Sequence, residues 1–247
     1  MKTENYLFAC ILSMLFVNLA YGYPPLSPYS YCAANPVNVV DPDGRDIYRF
    51  DNKTGTMVLY AKTEDKFDQI GVFKEVKDKK TGQVSYEPKE GKPGKVKTMI
   101  DKIEKGILSD GMNLMTSANV IETGNPGQPT IDGFQDFIIQ FADMIGREMS
   151  GFYFTPTGSD QIRYIHIGSY ENNKHNHSTP NPPYPTVRPD LLGHIEPHTS
   201  WHTHPSILPY SDRTQPSGQD MKSKKRQVTQ GVKHFIILTD GYSPIVY

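Results

Sequence analysis

His202 and His204 stand two apart in Ser200-Trp201-His202-Thr203-His204-Pro205, and no other feature of the chain constrains its fold so tightly. On an extended backbone side chains alternate, so both imidazoles leave the same face and can converge on one ion. Pro205 cannot donate to a strand ladder and ends that strand. A third ligand must then come from another element. Ser217-Gly218-Gln219-Asp220 opens a helix expected to reach about residue 230. Asp220 at its start would leave the fourth position of a tetrahedral zinc open to water, as catalytic sites require. Asp212, in the intervening loop, is the rival ligand. Cys10 and Cys32 are the only cysteines, too few for a cysteine-built site, so His and carboxylate must hold any metal. A carboxylate outside the metal shell must take the proton from water. Glu148, at a helix-to-strand junction, is expected there. Glu171 and Glu196 are the alternatives, although Glu196 lies only six residues before His202, too close to come from a neighbouring strand. His175-Asn176-His177 repeats the spacing in a polar loop and is read, with His194 and His198, as a surface feature.

The surrounding pattern is α+β. Phe134, Phe137, Ile138, Phe141, Met144 and Ile145 recur at helical spacing, which predicts an amphipathic helix from about Asp132 to Arg147. Residues 148–154 and 162–167 read as antiparallel strands joined across Gly158, and a Pro/Asn-rich loop spans roughly 171–190. His234-Phe235-Ile236-Ile237-Leu238 is a further strand, and Pro244-Ile245-Val246-Tyr247 ends the chain. Upstream, residues 46–88 alternate in short runs, with Asn52-Lys53-Thr54-Gly55 and Lys79-Lys80-Thr81-Gly82 as hairpin turns. Val96, Met99, Ile100, Ile103, Ile107 and Leu108 fall on one helical face, which predicts a helix there. Residues 109–130 read as loop. A boundary near 125 therefore separates a β-rich region with one helix, 46–124, from a second unit, 125–247.

The first 22 residues differ from the rest. Lys2, the apolar run from Leu7 to Val17 and Ala20-Tyr21-Gly22 read as a cleavable export signal, with a buried N-terminal helix as the alternative. The run is shorter than the roughly 20 apolar residues of a membrane span, so no stable span is expected after cleavage. With 26 Lys+Arg against 27 Asp+Glu, the chain lacks the positive excess that nucleic-acid wrapping needs. Residues 23–45 form a proline-punctuated extended segment closed by Asp41-Pro42-Asp43-Gly44, which has turn chemistry.

Two resemblances follow from these residues. Glu148-Met149-Ser150-Gly151, Trp201-His202-Thr203-His204-Pro205 and Ser217-Gly218-Gln219-Asp220 together resemble the motif of JAMM (JAB/MPN) zinc metalloproteases: a distant Glu, then His-x-His-Pro, then Ser-x-x-Asp. Twelve residues separate His204 from Ser217, so the loop between them is enlarged against the family pattern. The resemblance implies a JAB/MPN-like (cytidine-deaminase-like) mixed sheet with flanking helices. It also implies zinc on His202, His204 and Asp220, with Glu148 as general base and then acid and the Ser217 hydroxyl stabilising the developing oxyanion. The implied reaction is hydrolysis of amide bonds in a protein or peptide, often the isopeptide link to a ubiquitin-like modifier. The run from Ser27-Pro28-Tyr29-Ser30-Tyr31-Cys32 through Asn35-Pro36-Val37 to Asp41-Pro42-Asp43-Gly44-Arg45 resembles the end of an Rhs-repeat core. That resemblance implies an exported bacterial effector of the JAB-like toxin type, delivered to target cells and partnered by an immunity protein. A secreted, non-catalytic MPN-like binding or scaffold module is the second reading. A zinc deaminase would want Cys ligands in Pro-Cys-x-x-Cys, which the chain lacks.

Overall fold

A computed structural model gives the fold and describes residues 46–63, 65–92, 95–170, 178–179 and 188–247. The export-type segment, the Rhs-like segment, Glu171 and the His175/His177 pair lie outside the described residues. Strands β1 (Asp46–Asp51) and β2 (Thr56–Ala61) form a hairpin over the expected turn. There Asp51 Oδ1 accepts the Lys53 and Thr54 amides at 3.0 and 3.3 Å, and Gly55 takes φ 72°, a conformation that favours glycine. β1 also pairs in parallel with β3 (Phe67–Gly71). The second expected hairpin joins β4 (Phe73–Lys77) to β5 (Val84–Pro88) through a turn capped by Asp78.

The helix expected over 96–108 is instead a strand, β6 (Thr98–Glu104), antiparallel to β3, and no helix occurs among the described residues of 46–124. The physical reason lies in the register. Asp68 pairs with Ile103 and Ile70 with Ile100, so Gln69 of β3 alone opposes both Asp101 and Lys102 of β6, and Lys102 sits at φ 57°. This is a β-bulge. It places Ile100 and Ile103, three apart, on one buried face, and so produces in a strand the apolar spacing that otherwise signals a helix. The four strands stand in the order β2-β1-β3-β6.

A strand also arises where a loop was expected: β7 (Asn119–Glu122) is the edge of a six-stranded sheet, which thus begins before the boundary expected near 125. Next comes helix α1 (Ile131–Ile145), with Thr130 accepting the Gly133 amide as N-cap and Gly146 in the left-handed C-terminal position. β8 (Ser150–Pro156) and β9 (Tyr164–Ile167) are the expected antiparallel pair. β10 (Ser169–Tyr170) pairs with β11 (Ser178–Thr179) in a separate ribbon. β12 (Ile195–Thr203), short helix α2 (Tyr210–Arg213), α3 (Gly218–Val228), β13 (His234–Leu238) and β14 (Ile245–Val246) complete the order β14-β13-β12-β8-β9-β7.

Helix α1 lies between the two sheets. Phe134 meets Trp201 of β12 edge-on at 5.2 Å, and Phe141 meets Phe50 of β1 at 5.0 Å. One apolar core therefore runs from Tyr48, Met57 and Ile70 through Phe134, Phe137 and Phe141 to Tyr153, Trp201 and Leu238. The result is a mixed α+β fold made mostly of sheet. None of the helices in the described residues is long and apolar enough to cross a membrane.

Candidate metal centre

Strands β12 and β13 are parallel, so the chain must cross over between them, and α3 lies in that crossover. A crossover helix begins near the carboxyl end of the strand it follows, which is where open α/β sheets gather ligands. His202 is the penultimate residue of β12, His204 follows the strand, and Asp220 is in the first turn of α3.

Alternation along β12 assigns the faces. Trp201 points to α1 and is fully buried, directly across from Gly151. A Cβ at Gly151 would collide with the His166 carbonyl and the Trp201 ring, which explains why the Glu-x-x-Gly element ends in glycine. His202, across from Ser150, points the other way, towards Tyr247. Thr203 clamps the end of β12 to the segment after α1. Its hydroxyl accepts the Met149 amide at 2.8 Å, and its own amide donates to the Met149 carbonyl at 2.8 Å. That clamp brings neighbouring Glu148 into electrostatic range of His202 and Asp220.

His204 is held at three points. Its amide donates to the Leu238 carbonyl at 2.9 Å, its carbonyl accepts the Thr239 hydroxyl at 2.8 Å, and Nδ1 meets the Arg213 carbonyl at 3.2 Å. A carbonyl only accepts, so Nδ1 carries the proton and Nε2 of the neutral ring is left with its lone pair, the metal-competent tautomer. Burial first, then the nearby His202, lowers the His204 pKa and favours that neutral ring. The Nε2 atoms of the two histidines are 2.9 Å apart. Asp220 turns Oδ1 to His202 Nε2 at 3.6 Å and Oδ2 to His204 Nε2 at 3.8 Å. A tetrahedral zinc with bonds of about 2.0–2.1 Å has ligand–ligand edges of about 3.3 Å, and the three separations bracket that value. Among the described residues this is the one group of three such side chains whose ligand atoms lie within 4.8 Å of one another. It could hold a metal ion.

Ser217 caps α3 and orients Asp220. Its hydroxyl accepts the Asp220 amide at 3.2 Å, while its amide donates to Asp220 Oδ2 at 2.6 Å, a reciprocal capping box. Burial pushes the Asp220 carboxyl up, but the hydrogen bond and charge of His202 and the bonds from Ser217 outweigh it and hold the carboxyl well below the usual range. Glu148 goes the other way: burial raises its pKa to about 7, opposed by His202 and reinforced by Asp220.

Asp212 is exposed and does not join the group. Glu196 sits on β12 itself, about 20 Å from His202 at the rise of a strand. His194 is exposed, and His198 is half-buried with Nδ1 on the Thr199 hydroxyl at 2.8 Å. Two features had no sequence signal. One is the Arg213 carbonyl, which the enlarged loop folds into α2 to present to His204. The other is Tyr247, whose ring stands edge-on to His202 at 5.9 Å. Burial, then the negative Asp220, raises the pKa of its hydroxyl. Compared with protein-family models, curated proteins and solved structures, the chain matches none of them.

Proposed function

We propose that this chain is a zinc-dependent hydrolase of the JAMM (JAB/MPN) type, with a JAB/MPN-like sheet, that cleaves amide or isopeptide bonds in a protein substrate. The observation that carries this reading is the meeting of His202, His204 and Asp220 at the carboxyl end of a parallel strand pair, with a half-buried glutamate beside them. The order of helix, paired strands, ligand strand, helix and strand supports it too. With the Rhs-like segment and the export-type N-terminus, it makes the chain the effector part of an exported bacterial toxin.

A zinc ion held by the three side chains would supply Lewis acidity and a water of lowered pKa. Glu148, its carboxyl near 7, can take a proton and return it to a leaving amine at neutral pH, since a general acid–base works best when its pKa is close to the operating pH. The Ser217 hydroxyl accepts from the helix but keeps its own proton, and can donate it to a developing oxyanion. The low pKa of Asp220 keeps that carboxylate ionised and able to act as a ligand.

Metal content and turnover of the full chain, measured together, test this. Wild type should hold about one zinc, and His202→Ala/His204→Ala should hold none. Glu148→Gln should keep its zinc while hydrolysis of isopeptide-linked and linear protein conjugates falls by roughly 10²-fold or more. Zinc retained by the double variant would sink the site. Zinc-loaded wild type that cleaves no conjugate would leave the non-catalytic scaffold as the better reading.

A further inference from the structure

We propose that Tyr247 is a positioning residue of the metal centre: its ring wedges between the ligand strand and the ligand helix and sets the orientation of the His202 imidazole. The inference rests on the zinc reading above and adds the part of the site that makes the two histidines converge.

The two imidazoles are held by different means. His204 has its far nitrogen on the Arg213 carbonyl, the usual way in which a protein orients a metal-ligating histidine. For His202 the described hydrogen bonds include no such carbonyl, and its ring contacts are with His204 and Tyr247. Packing must therefore do what the hydrogen bond does for its neighbour.

Tyr247 is built for that task. Its amide donates to the Phe235 carbonyl at 3.1 Å, and the two residues before it pair with Ile237 and Ile236, so its backbone is tied to β13, next to β12. Its ring meets His202 at an interplanar angle of 84° and Phe235 at 6.1 Å. The Lys224 ammonium stands 5.5 Å from the Tyr247 ring centre and 5.4 Å from that of Phe235, within the range of a cation–π contact. Lys224 lies one helical turn beyond Asp220, on the same face of α3. The ring thus touches the strand that carries His202 and the helix that carries Asp220, and spaces one against the other. An edge-to-face contact resists ring rotation about χ2, which is the freedom that would carry His202 Nε2 away from Asp220.

The test is zinc affinity of the full chain, measured by competition with a chromophoric chelator, with the visible spectrum of the cobalt(II)-loaded protein as a report on ligand geometry. Tyr247→Ala should weaken zinc binding by about 10–100-fold, the usual range for residues that orient a ligand, and should alter the cobalt spectrum. Tyr247→Phe keeps the ring and should bind zinc like wild type. Phe154→Leu disturbs the same apolar cluster away from His202, and controls for general loosening: it should lower stability and leave affinity intact. Wild-type affinity in Tyr247→Ala, loss in Tyr247→Phe equal to that in the alanine variant, or equal loss in Phe154→Leu would each overturn the proposal. A wild-type chain that binds no zinc would instead overturn the underlying metal reading.

Discussion

At the scale of single residues, the candidate site separates carboxylates by environment. Asp220 is held low by His202 and Ser217, whereas Glu148 is raised to about 7 by burial, so near neutrality one is fixed as an anion and the other can exchange a proton. Such divergence between neighbouring acids is a mark of acid–base sites. Asp220 and Asp212 could not be ranked by spacing alone, and substitution tests them directly. Asp220→Ala should lose zinc and Asp212→Ala should retain it, read by elemental analysis; the reverse result would move the third ligand into the enlarged loop. A second buried carboxylate, Asp68, faces Asp46 across β1 and β3, and both approach Lys105 Nζ, at 3.6 and 3.0 Å. Burial, then Asp46, raises Asp68 to about 7 against the pull of Lys105. A raised folded-state value means that the native state prefers the protonated acid. The stability this confers is present below about pH 4 and lost as pH rises to about 7. Urea titrations should show wild type losing stability relative to Asp68→Asn across that window, and parallel pH profiles would contradict the assignment.

At the scale of elements, β6 shows how an apolar spacing can mislead. Intervals of three and four are the signature of a helical face, but a bulge inserts one residue into an alternating strand and yields an interval of three. Lys102 marks the inserted position by its left-handed backbone, which costs about 1 kcal/mol in a residue with a Cβ. Lys102→Gly should therefore stabilise the protein by about 0.5–1 kcal/mol in chemical denaturation, since glycine adopts that conformation freely. Were this segment a helix, the same exposed change would cost about 1 kcal/mol, so the sign of the effect decides between the two structures.

At the scale of the whole molecule, the shared core makes the candidate metal centre depend on residues well outside it. Helix α1 presents Phe134 to Trp201, next to His202, and Phe141 to Phe50 in the N-terminal sheet. Both contacts belong to one apolar core. A fragment of residues 125–247 would keep every ligand but lose β7 and expose the Phe137/Phe141 face of α1. It should unfold at lower temperature than residues 46–247 and bind zinc more weakly, and the longer chain should melt in one transition, followed by circular dichroism. A fragment with full affinity and stability would show that the two sheets are energetically independent.

What could be read from the amino-acid order was local. Helix α1 announced its buried stripe at 3.6-residue spacing, the hairpin turns carried Gly at the positions that need it, and His202, His204 and Asp220 stood in the sequence contexts of a strand end and a helix start. Each of these rests on interactions within a few residues, so a short window holds the information. The strand character of β6, the recruitment of β7 as a sheet edge, the Arg213 carbonyl behind His204 and the ring of Tyr247 beside His202 were decided only in three dimensions. They depend on which strands pair and in what register, and that choice is made by burying one common core between partners distant in the chain, where no local period or turn signal can record it.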